Sequence, residues 1–315
     1  MNHNVKKHAY RNAVHIITVF IAFLFLSACA SQSKQEVPVP ATAPVVTKTI
    51  QHPRIALVLG SGGVKGYAHL GVLQALEEAN ISVDVLVGSS AGSVVASLYA
   101  DNQSFKKTFD IMMPAGFWDY ADVGNLSGSG GIVKGYQLQR FMIEHMQARQ
   151  FHELHKKVII ATSDMNTGKL YPIESGPIAP AVLASSAIPG AVKPVNLYGR
   201  TLIDGGVTSP VPVELAMKLH PKLIIAVDLS TKTSNKAPTS AMGVVDSAIH
   251  MMGRRLAEVS LSGADVVISP KVGDVNLFDI RKKQEMYLAG LSAARQQIPK
   301  IRQLLAEADA VNTSQ

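Results

Sequence analysis

Several things are scarce in this chain of 315 residues. It has one cysteine, one tryptophan and only 6% aromatic residues. A lone cysteine excludes a disulfide framework and any multi-cysteine metal site, because both need cysteine partners. Clustered basic residues interleaved with aromatics are also missing. The formal charge of +7 includes Lys6, Lys7 and Arg11 at the extreme start, and the other lysines are scattered apart from pairs such as Lys106-Lys107 and Lys156-Lys157. A solvated basic surface is the reading, with no nucleic-acid partner. What is plentiful is apolar: 47% hydrophobic against 17% charged, too apolar for a disordered chain and enough for a sizeable core.

The basic start is followed by the apolar run Ile16 to Leu26 and by Leu26-Ser27-Ala28-Cys29. About eleven apolar residues fall short of the roughly 20 needed to span the hydrocarbon core, but suit a signal-peptide core. The ending resembles a bacterial lipobox, in which cysteine becomes the lipidated first residue. Residues 1–28 are therefore expected to be a lipoprotein signal peptide and Cys29 a lipid anchor. A linker rich in Ser, Pro and Thr fills the rest of 29–52, including Val37-Pro38-Val39-Pro40. Ala30 after the cysteine, rather than aspartate, points to the outer membrane, facing the periplasm.

From Ile55 the pattern changes. Ile55-Ala56-Leu57-Val58-Leu59 is a continuous apolar run of the kind that makes a buried parallel strand, and it stops at Gly60-Ser61-Gly62-Gly63-Val64-Lys65-Gly66. Leu70, Val72, Leu73, Ala75 and Leu76 then adopt helical spacing over 68–79, and Val83 to Val87 is a second apolar run. Residues 54–88 thus have the length of one βαβ unit. A right-handed crossover sets its strands parallel and brings the loops at their carboxyl ends together. The second of those loops reads Gly88-Ser89-Ser90-Ala91-Gly92, a G-x-S-x-G string between strand and helix. There a tight turn presents the central serine, Ser90, and small flanking residues avoid obstruction. The plain alternative is a glycine-rich turn with a capping serine.

The first loop fits neither phosphate cradle, since Lys65 stands where both motifs need glycine. Gly62 and Gly63 can instead turn unhindered N–H groups toward a neighbouring site. No histidine occupies a strand-end loop. His145, His152, His155, His220 and His250 fall in helical or early segments, and His69 sits in the helix after the glycine loop, where packing is the expectation. An aspartate does occupy such a loop, in Leu202-Ile203-Asp204-Gly205-Gly206. Asp204 can serve as a base only in a water-poor pocket that raises its pKa. Asp164 and Asp228 also end apolar runs and compete for the role.

These residues resemble the patatin-like phospholipase family in its bacterial branch. The resemblance spans about residues 54–210 in ordered blocks: Gly60 to Gly66 with Lys65, Gly88 to Gly92, Ala184-Ser185-Ser186-Ala187-Ile188-Pro189-Gly190, and Asp204-Gly205-Gly206 followed by Pro210-Val211-Pro212-Val213. The stretch from Ala161 to Gly168 is also similar. One departure is Ser61, where relatives often have glycine. The resemblance implies a Ser-Asp dyad of Ser90 and Asp204, an oxyanion hole from Gly62 and Gly63, and cleavage of fatty-acyl esters of lipids through an acyl-enzyme. It also implies a phospholipid or other acyl-ester substrate; no metal or organic cofactor is expected, because neither ligand clusters nor a dinucleotide loop appear in the sequence. A catalytically silent lipid binder and an esterase for small soluble esters are the alternatives.

The fold expected is a three-layer α/β/α domain around a mostly parallel sheet, over 53–230, with a C-terminal helical extension, 231–315, that packs on it. Within that extension, core packing is expected for Val244 to Val259, with Met251, Met252 and Leu256, and the alternative is that this stretch lines a lipid-accepting cleft. The stretch from Gly124 to Gly131 reads equally as a flap over the site or as an ordinary loop.

Overall fold

Continuous apolar runs become the middle strands of one sheet. β1 (Ile55–Leu59) and β2 (Val85–Ser89) are buried along their whole length. Between them runs α1 (Tyr67–Glu78), and β2 leads directly into α2 (Ala91–Asn102). Then come α3 (Phe105–Met112), α4 (Phe117–Tyr120), α5 (Tyr136–His145), β3 (Lys157–Asp164), β4 (Lys169–Ile173), α6 (Ile178–Ser185), β5 (Val195–Leu197) and β6 (Arg200–Asp204). The chain continues through α7 (Val213–Met217), β7 (Leu223–Val227), α8 (Ala241–Ser260), β8 (Val266–Ile268) and α9 (Lys283–Thr313). This computed structural model describes residues 42–45, 50, 52–120, 122, 135–230, 241–273, 275 and 279–313, with the side chains of 117, 241–250 and 311–313 excepted. The signal-peptide segment, Cys29, most of the linker and the 124–131 stretch lie outside the described residues.

The strand order is β5-β6-β3-β2-β1-β7-β8, with β4 also paired to β3. Strands β3, β2, β1, β7 and β8 are mutually parallel, while the β3–β4, β3–β6 and β5–β6 pairings are antiparallel. The three-layer, mostly parallel architecture is therefore the one that forms. Alternation of side chains along β1 sends Ile55, Leu57 and Leu59 into one apolar cluster with residues of α1, α2, α6 and α9. Ala56 and Val58 go to the other, against Val213, Leu215 and Ala216 of α7 and Ala257 of α8.

The C-terminal region does more than cover the sheet. β8 pairs in parallel with β7, so the sheet continues past residue 230. α9 crosses α1 at a contact that only glycines permit. A Cβ on Gly290 would lie 1.9 Å from the Ala68 carbonyl oxygen, and one on Gly71 would lie 2.2 Å from that of Tyr287. Part of the segment read as a linker also touches this unit: the Ser175 hydroxyl donates to the Pro44 carbonyl at 2.6 Å.

Core packing does not hold for the exposed side of α8. Met251, Met252 and Leu256 are 51%, 60% and 39% exposed. The helix seats itself instead through its small residues. Ala257 is fully buried, and Gly253 faces Pro210, whose Cγ lies 3.9 Å from where a Cβ would stand.

Candidate active site

The site forms because two strands run toward each other along one edge of β3. β2 is parallel to β3 and ends with Ser89 opposite Ala161. β6 is antiparallel to β3 and ends with Asp204 opposite Thr162. β4 occupies the other edge at both positions. The carboxyl ends of β2 and β6 therefore meet one residue apart on the ladder, and the segments that leave those two ends are forced together.

The elbow leaves the end of β2. Ser90 has φ 52° and ψ −121°, a left-handed conformation that a side-chain-bearing residue adopts at a cost of about 1–3 kcal/mol. Its surroundings hold it there. The Ser90 amide donates to Ser185 Oγ at 2.9 Å, and the Ser185 hydroxyl donates to the Ala161 carbonyl at 2.7 Å. The Ser90 carbonyl accepts from the Ser93 amide at 2.8 Å and the Ser93 hydroxyl at 2.7 Å. Gly88 and Gly92 are the small flanks this turn requires: a Cβ on Gly92 would lie 2.0 Å from the Leu59 carbonyl oxygen.

The Ser90 hydroxyl donates to Asp204 Oδ2 at 2.6 Å, and both residues are only 5% exposed. The other carboxylate oxygen accepts from the Gly206 amide at 2.7 Å. Burial is the dominant influence on this carboxyl and raises its pKa from 3.8 to about 6, although the hydrogen bonds from Ser90 and Gly206 oppose the rise. The competing acids are otherwise employed. Asp164 bonds Arg200 at 2.5 Å and the amides of Asn166 and Thr167, contacts that hold its pKa below the usual value. Asp228 accepts from the amide and hydroxyl of Ser230, both at 2.8 Å.

The glycine loop lies beside this pair, since Gly62 and Gly63 line the cleft that contains Ser90 and Asp204. As the cap and first residue of the 3-10 turn Gly63–Gly66, they carry N–H groups without an intrahelical acceptor. The loop is anchored from several sides. The Gly60 amide donates to Val227 O at 3.1 Å and the Ser61 amide to Pro210 O at 2.8 Å. Gly66 lies against the elbow helix so closely that a Cβ would meet that of Ala91 at 2.6 Å. Lys65 is buried and lines the same cleft. Ser61, the departure from the family pattern, places its hydroxyl 2.9 Å from Ser89 Oγ and 3.2 Å from Pro210 O, tying the loop to the end of β2. Gly205 sits tightly over the Ala161 carbonyl, and Gly206 packs against Ser61.

Two residues with a structural claim on the site are not legible as such in the sequence. Ser185 is visible there only as one letter of a family block, and its bond to the Ser90 amide depends on a fold-level contact across 95 positions. His69 is fully buried, and its Nε2 lies 2.8 Å from the Gly60 carbonyl. Burial lowers its pKa to about 4, so it is neutral near pH 7 and donates that bond to the glycine loop. Its proximity to the loop in sequence is the available signal.

Ser90 stands where two clefts join. One is almost wholly apolar, walled by Val64, Tyr67, Val94, Met112, Leu138 and Ile280. The other is more polar and holds Asp204, Lys65, Asp228, Ser230 and Arg254. Among the described residues no histidine lines either cleft, and no group of three or more His, Cys, Asp or Glu is placed to hold a metal.

Fold and site together define a class: three-layer α/β proteins that present an elbow serine to a buried aspartate. Residues 57–217 match the family model described as patatin-like phospholipase, and the chain belongs to that family. It is 30% identical over 217 residues to an uncharacterized NTE family protein of Mycobacterium bovis, covering 68% of this chain and 60% of that one. It is 28% identical over 182 residues to lysophospholipase NTE1 of Mycosarcoma maydis, covering 56% of this chain and 10% of that protein. The chain thus spans less than two thirds of the length of these curated relatives. In fold it is similar to the crystal structure of VipD from Legionella pneumophila, with a TM-score of 0.54 at 14% identity, over 89% of this chain and 72% of that one.

Proposed function

We propose that this protein hydrolyses fatty-acyl esters of phospholipids or lysophospholipids, with Ser90 as nucleophile and Asp204 as its base. The observation that carries the reading is the 2.6 Å bond from the hydroxyl of Ser90, a residue with a strained backbone, to a buried carboxylate. Family membership and the name of the lysophospholipase relative support the substrate class.

Asp204 takes the Ser90 proton as Oγ attacks the ester carbonyl. The Ser90 amide is already committed to Ser185, so the negative charge developing on the carbonyl oxygen falls to the amides of Gly62 and Gly63. When the ester bond breaks, the proton passes from Asp204 to the departing alkoxide and the acyl group stays on Ser90. Asp204 then deprotonates a water, which releases the fatty acid and restores the serine. The apolar cleft suits an acyl chain, and the polar one suits the alcohol half with its phosphate.

A fluorophosphonate probe tests the reading directly. Labelling is expected on the wild-type chain and absent from Ser90→Ala. A folded wild type that resists the probe would leave a lipid-binding protein instead. The location proposed is the bacterial envelope, anchored through Cys29, on the strength of the apolar run and the Leu-Ser-Ala-Cys ending. Palmitate incorporation persisting in Cys29→Ala would remove that proposal.

A further inference from the structure

α8 wears its apolar side outward. Over 251–259 the residues turned away from the protein are Met251, Met252, Arg255, Leu256, Glu258 and Val259, and those turned toward it include Gly253 and Ala257. At 100° per residue, Met251, Arg255, Val259, Met252 and Leu256 fall on one arc of about 140°. Val259 is 75% exposed and the Arg255 side chain 81%. A helix that merely covered a sheet would present the reverse pattern, with this arc buried and the charges outside.

The position of the helix adds to its polarity. Gly253 and Arg254 line the cleft that contains Ser90 and Asp204, and Val207, itself 44% exposed, lines the same cleft just after Asp204. The helix that bears the apolar arc therefore also walls the site, through the side opposite that arc. Two arginines against one glutamate also give this stretch a positive balance. Arg254 and Arg255 both lie near Glu258, at 3.7 and 3.2 Å.

We propose that residues 251–259 of α8, with Val207, form a docking surface for a lipid bilayer bearing anionic headgroups, and that the surface seats the cleft mouth on that bilayer. Arg255 decides between lipid and a second copy of the chain. In a two-fold pairing of this face, each Arg255 would be pressed into apolar surface near its own like charge. On a bilayer the apolar stem lies among the Met, Leu and Val side chains while the guanidinium reaches the phosphate layer. The hydrolase reading explains why the surface adjoins this cleft, but docking itself is measurable without turnover.

The test uses the full chain carrying Met252→Trp, mixed with vesicles of phosphatidylcholine and phosphatidylglycerol whose acyl chains are brominated. Quenching at least about twofold beyond that of the wild type, whose only tryptophan is Trp118, is expected, because an interfacial helix buries its apolar face at the acyl boundary. Adding Leu256→Glu to Met252→Trp is expected to abolish the excess, and replacing the anionic lipid by phosphatidylcholine alone to reduce it. Quenching no greater than wild type overturns the proposal. So does a dimer in sedimentation that Leu256→Glu dissociates while lipid leaves the probe untouched. In a parallel assay, Met252→Glu with Leu256→Glu is expected to lower hydrolysis of vesicle lipid about tenfold while a short soluble ester is turned over within about twofold of wild type. A wild type inactive on both substrates, with the excess quenching of Met252→Trp still present, would sink the hydrolase reading and leave the docking surface standing.

Discussion

At the floor of the cleft the reacting groups are tied to their neighbours by hydrogen bonds. Ser185 grips the Ser90 amide and is itself tied to Ala161; Asp204 takes one bond from Ser90 and another from Gly206. At the rim, α8 turns methionine, leucine and valine to the outside and rests on glycine and alanine. The contrast separates two kinds of constraint. The floor carries strain at Ser90 and a carboxylate it partly dehydrates, and both persist only because the neighbours over-determine them. The rim keeps an apolar face exposed among the described residues, so its side chains are free to change without loss of the fold.

If that contrast is right, substitutions should rank by depth. Ser90→Ala is expected to remove at least about a thousandfold of ester turnover while relieving nothing the fold depends on, so its melting temperature should stay close to wild type. Turnover near wild type would break the floor's assigned chemistry. Asp204→Asn should cost a similar factor, and the wild type should lose kcat/KM as pH falls through about 6, where Asp204 takes up its proton.

The same carboxylate makes a stability prediction of definite sign. Its folded pKa of about 6 lies above the ordinary 3.8, so the native state holds the proton more tightly than the unfolded chain. The stabilisation this gives is complete below about pH 3.8, falls as pH rises to about 6, and is gone above it. Relative to wild type, Asp204→Asn should therefore gain up to about 3 kcal/mol between acid and pH 8. Denaturant melts of both proteins at the two pH values measure the gain, and a constant difference would contradict the dehydrated carboxyl.

Ser185→Ala should fall between floor and rim. It removes the acceptor of the Ser90 amide and one donor to the Ala161 carbonyl in a dry interior, at about 1–3 kcal/mol, and should lower kcat about tenfold with KM little changed. Steady-state kinetics beside a urea melt separate those effects. Val259→Ser, at the rim, is expected to change stability by less than about 0.5 kcal/mol. A loss of 2 kcal/mol would mean that this side chain is packed after all and would erase the contrast.

Much of the floor is legible in the chain. Apolar continuity from Ile55 to Leu59, the glycine loop, helical spacing and G-x-S-x-G specify a strand, helix and elbow whose register is that of any βαβ unit. With no well-placed histidine to serve Ser90, the chain offers Asp204, Asp164 and Asp228 as candidate bases, and the family resemblance points to Asp204. The chain does not reveal how β6 approaches: its five residues read the same whether parallel or antiparallel, and only the antiparallel pairing aims Asp204 at Ser90. Nor does periodicity tell inside from outside on α8. Its spacing shows that one face is apolar, while the direction of that face follows from Ala257 joining the apolar cluster around β1 and α7, a contact the sequence does not display. Ser61 reads in the sequence as a simple loss of glycine, because its bridging hydroxyl depends on a neighbour in another strand.

Ser90 and Asp204 stand 114 positions apart in the chain, and everything between them forms the loop that returns to close their bond. No fragment ending before β6 contains the reacting pair, and no local folding event can assemble it. Such long-range closure comes late, since the entropy of the loop must be overcome first. Under the proposed function, a nascent chain that ends before β6 would be inert toward lipid, and the onset of hydrolysis would report that β6 has joined β3.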